Sequence, residues 1–153
     1  MSIPQLFFGF AGRIPRRTFI FCTLFLLALN FALTYLLLPL FDFSVQTYLD
    51  DTTLKSWELD SIVFGMLFWP DLAISYKRLH DLGMSGKIYG VFSLLCLSFF
   101  FATSQGVFTN NPLDNNIFLI CLSALGFIIL AFLAVMIFKK GQPHENRWGP
   151  APV

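Results

Sequence analysis

The sequence predicts an all-α integral membrane protein, a four-helix bundle with both termini cytoplasmic. Three observations predict it. Of 153 residues, 56% are hydrophobic and only 12% charged, against roughly 25% charged in a soluble domain. The apolar residues gather into four long stretches. Nine of the ten Lys and Arg residues then fall in segments that four crossings place on one side. A soluble domain of this size cannot hide so much apolar surface behind a polar shell. Intrinsic disorder is excluded by the same figures, and a net charge of +1 gives no footprint for nucleic acid.

Residues 1–17 form a cytoplasmic or interfacial N-terminal segment, 18–138 the four-helix domain, and 139–153 a cytoplasmic tail. The first span, about 18–40, holds 23 residues without a charge, about 34 Å as a helix and enough to cross hydrocarbon. It is too long for the core of a cleaved signal peptide, and no A-x-A-like site follows it. The second span, about 61–79, contains Pro70 and Asp71 and ends on Lys77 and Arg78, which are expected to snorkel to the interface. The third and fourth, about 88–108 and 117–138, are uncharged runs of 21 and 22 residues.

Charge sets the orientation. Arg13, Arg16, Arg17, Lys77, Arg78, Lys87, Lys139, Lys140 and Arg147 give one side a net +7, and the other side carries −5. The basic side is therefore cytoplasmic. Phe41, Phe43, Tyr48 and Trp57 outside, and Phe7, Phe8, Phe10, Tyr76 and Tyr89 inside, suit aromatic belts. The external connection 42–60 is acidic, with a short helix expected after Thr53, and 109–116 reads as a turn around Pro112. Gly86-x-x-x-Gly90 with Ser93, and Ser123, Gly126, Ala131 and Ala134, allow close helix packing within one bundle and leave a homo-oligomer open. Cys22, Cys96 and Cys121 lie in apolar runs with no metal spacing, so neither a disulfide framework nor a metal site is expected.

Three stretches on the basic side carry the motifs. They are Gly12-Arg13-Ile14-Pro15-Arg16-Arg17, then Lys77-Arg78-Leu79-His80-Asp81-Leu82-Gly83-Met84-Ser85-Gly86, and last Asn146-Arg147-Trp148-Gly149. Together they resemble the DUF805 family of bacterial inner-membrane proteins, over nearly the whole chain. The resemblance implies a small multi-helix domain in the bacterial inner (plasma) membrane and brings no established biochemical activity. Lys77 stands where that family usually has Arg, Lys87 where an aromatic often follows, and Ala151 where Asp is common.

Capping chemistry explains much of the central turn. Lys77 and Arg78 suit the negative end of a helix, Gly83 a left-handed cap, and Ser85 the start of the next helix. Asp81 lies within helical pairing distance of both cations. Beyond capping, Arg13, Arg16, Arg17, Lys77, Arg78, His80, Asp81, Ser85, Asn146 and Trp148 are candidates for binding anionic headgroups or a partner protein. Asp81 should draw in an N-terminal arginine, while Asn146 and Trp148 cap carbonyls and cover the headgroup region. Catalytic residues and cofactors are not expected. No Ser or Cys sits in a nucleophile elbow, and Gly83-Met84-Ser85-Gly86-Lys87 lacks the spacing of a phosphate loop. His80 and Asp81, adjacent on a helix, point about 100° apart. Asp71 is the one charge inside a span, expected to pair with Arg78, Lys77 or an N-terminal Arg.

The sequence thus reads as a multi-pass inner-membrane protein whose basic cytoplasmic face engages lipids or a membrane or cytoplasmic protein. Two alternatives stand beside it: a small transporter or channel component using Asp71, and a membrane enzyme acting on a phosphate-bearing lipid through His80 and Asp81.

Overall fold

The structure, a computed structural model, describes residues 1–42, 44–49, 57–104 and 116–151, with the side chains of 57, 100–104 and 116–118 excepted. Among the described residues it is all helical: α1 (Ile3–Phe8), α2 (Arg16–Leu37), a 3-10 turn (Leu38–Phe41), α3 (Val45–Leu49), α4 (Trp57–Asp81), α5 (Lys87–Ser104) and α6 (Asn116–Phe138). The only extended pairing there is an isolated bridge between Asn146 and Gly149. The four long helices coincide with the four apolar stretches. A short helix does form in the first long connection, but at α3, ahead of Thr53. Residues 50–56 of that connection and the segment around Pro112 lie outside the described residues, while 57–60 form the first turn of α4.

Among the described residues, two segments are long and apolar enough to cross a membrane, Arg16–Phe41 and Leu119–Phe138, with mean hydropathies of 2.2 and 2.9. Only 11% and 6% of those windows are buried inside the protein, the reverse of what the core helix of a soluble protein shows. Phe127, Leu130 and Phe138 on α6 and Phe21, Phe31 and Leu36 on α2 all face outward. A helix apolar all round with its surface uncovered needs a hydrocarbon solvent.

Helix α4 is the hub, packing on α1, α2 and α5, while α2 also meets α6. The larger core cluster sits at its C-terminal end, where Ile14, Phe19 and Cys22 close on Ile74, Leu79, Leu82 and Met136. A smaller one, Leu38, Leu59 and Val63, closes the opposite end. There the Tyr48 hydroxyl donates to Asp60 Oδ1 at 2.6 Å and ties α3 to α4. Glu58 and Asp60 in the first turn of α4 suit its positive end. The helix runs on through Pro70.

Gly83 ends α4 as expected. Its φ is +78°, and the Gly83 and Met84 N–H groups donate back to His80 O at 3.1 Å and Leu79 O at 2.9 Å, the paired bonds of a Schellman turn. Helix α5 follows within a few residues, and Ser85 contributes its backbone carbonyl to the Ile88 N–H at 3.3 Å. A Cβ at Gly86 would collide with the Tyr76 ring. The small-residue start of α5 therefore packs on α4 of the same chain.

Candidate functional site

The three motif stretches, far apart in sequence, meet at the C-terminal end of α4 around one carboxylate. Asp81 receives Arg13 on Oδ1, from Nη2 at 3.0 Å and Nε at 3.2 Å, and Arg78 Nη1 on Oδ2. All three groups are buried, Arg13 at 5% exposure, Arg78 at 0% and Asp81 at 2%. Buried charges persist only when paired and fully hydrogen-bonded, and the arginines use their remaining donors on backbone carbonyls. Arg78 Nε donates to Met136 O at 2.8 Å and Nη2 to Lys139 O at 2.5 Å, so an α4 side chain satisfies carbonyls at the end of α6 that the helix leaves open. Arg13 reaches past Asp81 to Gln142 O at 2.5 Å, His144 O at 2.8 Å and Gly149 O at 3.2 Å. The Gln142 N–H donates to Asp81 O at 2.8 Å. Gly141 passes so close that a Cβ there would fall on the Asp81 carboxylate.

Lys77, on the next side of α4, is also fully buried. Its ammonium donates to Gln5 O at 3.0 Å, to Leu6 O at 2.7 Å and to Gly9 O, capping the short α1. The expectation that Lys77 and Arg78 snorkel to the interface is overturned. Both turn into the protein, where carbonyls at the ends of α1 and α6 accept their donors.

His80 and the tail complete the assembly. His80 Nδ1 lies 3.3 Å from Gly12 O, a carbonyl that only accepts, so Nδ1 carries the proton. Its ring stacks on Trp148 at 4.6 Å and meets Tyr76 edge-on at 5.3 Å. Burial holds its pKa below the ordinary histidine value, opposed by the Gly12 bond and reinforced by Arg147 and Lys77. Asn146 Nδ2 donates to His80 O at 3.0 Å, its Oδ1 accepts the Trp148 N–H at 3.0 Å, and Arg147 lies over the Trp148 ring at 4.0 Å.

Both Asp81 oxygens face guanidinium groups and His80 faces a carbonyl, so the adjacent pair forms no base–orienter dyad. Among the described residues no three His, Cys, Asp or Glu side chains gather as a metal-ligand set. Of the candidate residues, Arg13, Lys77, Arg78, His80, Asp81 and Asn146 spend their polar groups holding the fold. Arg16 and Arg17 are exposed, as are Lys87, Lys139 and Lys140, and Arg16 and Lys140 stand beside Asp81 at the lock.

Asp71 lies apart from all of these. The expected pairing with Lys77, Arg78 or an N-terminal Arg does not form: Lys77, Arg78 and Arg13 are committed to other partners, and Arg16 and Arg17 are exposed. The Tyr89 hydroxyl donates to Asp71 Oδ2 at 2.5 Å instead. Sequence reading placed Tyr89 in an interfacial belt and missed this. The signal was the Gly86–Gly90 register, which brings the first turn of α5 onto α4.

Two outward-facing apolar helices, each long and apolar enough to cross a membrane, are gathered at one end by a buried ionic lock, an arrangement that suggests a helical membrane protein. The chain belongs to the DUF805 family, described as a protein of unknown function, which it matches over residues 7–150. No curated protein and no solved structure matches it.

Proposed function

We propose that this is a multi-pass bacterial inner-membrane protein, a four-helix bundle with both termini cytoplasmic, whose cytoplasmic face binds the phosphate of anionic lipid headgroups without catalysis. The N-terminus of α2 carries this reading. Pro15 stands at its N-cap with no side-chain cap bond, the first turn holds no acid, and Arg16 and Arg17 add charge to the positive end of the helix. An end of this kind favours an anion, and its first-turn N–H groups are open donors for one. Beside it lies a polar cavity of about 330 Å³ lined by Pro15, Arg16, Asp81, Lys140, Gly141 and Gln142 among others. Arg13 and Arg78 overmatch the charge of Asp81, so with Arg16 and Lys140 the cavity is positive. The ionic lock builds this concavity, and the exposed cations fill its rim.

Native mass spectrometry of the detergent-solubilised chain tests it, with phosphatidylglycerol and phosphatidylcholine as competing probes. Phosphatidylglycerol should be retained preferentially. Arg16→Gln with Lys140→Gln should weaken its retention by about 1 kcal/mol per cation, or about 30-fold together. Equal retention of the two lipids, or retention indifferent to both substitutions, contradicts the reading.

A further inference from the structure

Between α2, α4, α5 and α6, within the apolar part of the bundle, lies a cavity of about 260 Å³. A second, of about 360 Å³, adjoins it between α2 and α4 and shares Thr23, Phe64, Phe68 and Asp71 as a common wall. Both volumes are near the lower end of the range of small-molecule sites, about 300–1,000 Å³. Their walls are largely apolar, which suits an occupant arriving from the bilayer.

The polar groups in the cavity are few and unevenly satisfied. Tyr89 spends its proton on Asp71 Oδ2, and among the described residues Asp71 Oδ1 accepts no hydrogen bond. Thr23 Oγ1 is buried with no hydrogen-bond partner among the described residues. A buried acceptor left open costs free energy, and an intramembrane carboxylate costs more unless a cation or donor meets it. An acyl chain would leave both groups open. Around them stand aromatic rings, Phe64 with Phe68 on α4 and Tyr89 and Phe92 stacked on Phe132 across α5 and α6. Ring faces attract cations, most strongly where water is excluded.

We infer that this cavity binds a small lipophilic ammonium ion, its N–H groups on Asp71 Oδ1 and Thr23 Oγ1 and its apolar body among the phenylalanines. The carboxylate supplies the counter-charge and the open acceptors demand donors. The aromatic lining selects an aromatic or compact apolar body over a hydrated ion. This site is separate from the headgroup surface, which lies beyond the end of α4, and either reading stands without the other.

Cys96 lines the cavity and is buried, whereas Cys121 is exposed, which gives the test an internal control. The intact chain in lipid nanodiscs is treated with N-ethylmaleimide, and each cysteine is followed by peptide mass spectrometry. Phenethylammonium at about ten times its Kd should slow modification of Cys96 about tenfold, the occupancy expected at that excess, and leave Cys121 unchanged. Its neutral counterpart 2-phenylethanol should protect at least tenfold more weakly. Asp71→Asn should abolish the difference between the two compounds. Equal protection by both in the unaltered chain would mean an apolar void that takes any small amphiphile. Protection by neither would mean that water or acyl chains occupy it. Either result overturns the inference, and neither requires the Asp71 variant to fold.

Discussion

Arg13 and Asp81 stand 68 residues apart in the chain and 3.0 Å apart in the fold. That one contact joins the segment before α2 to the end of α4, and the same guanidinium carries on into the C-terminal tail. Arg78 repeats the device toward the end of α6. A carboxylate held between two buried arginines, each capping backbone from another element, gathers both termini and the central turn onto one end of the bundle.

The first prediction concerns that carboxylate. Asp81→Ala leaves two buried guanidinium groups without a counter-charge and should destabilise the chain by about 3–5 kcal/mol. Thermal unfolding in detergent, followed by circular dichroism, measures it. A change below about 1 kcal/mol would place the group in water, at the level of a surface pair.

Glycine substitutions give a second. At Gly83 a side chain meets both the left-handed φ and the Gln142 side chain, while at Gly141 it meets the Asp81 carboxylate. Gly83→Ala should cost about 1–3 kcal/mol. Gly141→Ala should cost more, because the displaced carboxylate is the centre of the lock. Equal, negligible effects in the same unfolding assay would contradict the close approach of the tail to α4.

A third follows from Lys77. Its ammonium is the cap of α1, so Lys77→Met should release residues 1–12 while the rest of the fold persists. Hydrogen exchange read by mass spectrometry should show faster exchange in that segment alone. Unchanged protection there would mean that α1 is held by apolar contacts without the cap.

Acid sensitivity gives the fourth. Burial lowers the pKa of His80 in the folded chain, below the unfolded value of about 6.5. Between the two values the unfolded state binds a proton that the folded state refuses, so stability rises with pH across that window and falls on acidification. His80→Asn, which keeps a donor toward Gly12 O, should flatten the slope of thermal stability below about pH 6.5. A slope unchanged in that variant would assign the effect to other groups.

The fold was legible to the extent that it depends on composition. Uncharged runs gave the four long helices to within a few residues, and the Gly83 turn was readable because only one residue there adopts positive φ at no cost. The direction of the long basic side chains was not readable. Lys77 and Arg78 look the same in sequence whether they reach outward to water or inward to carbonyls. Only packing shows that open helix ends of α1 and α6 come within their reach. Asp81 was expected to attract an N-terminal arginine, but charge alone did not distinguish Arg13 from Arg16 and Arg17. Gly12 turns the chain with a φ of +95°, and of the three only Arg13 is buried at the carboxylate. Asp71 found a neutral hydroxyl because an inter-helix register, not a charge count, decides which groups meet inside the bundle.

A double-mutant cycle tests most directly whether the family motifs form a lock that leaves the rim cations free. Arg13→Ala, Asp81→Ala and their combination are compared by unfolding free energy with Arg16→Ala, Asp81→Ala and their combination. The account predicts strong non-additivity for Arg13 with Asp81, about 1–3 kcal/mol, and additivity within about 0.5 kcal/mol for Arg16 with Asp81. Additivity of Arg13 with Asp81, or an equal coupling through Arg16, would contradict it.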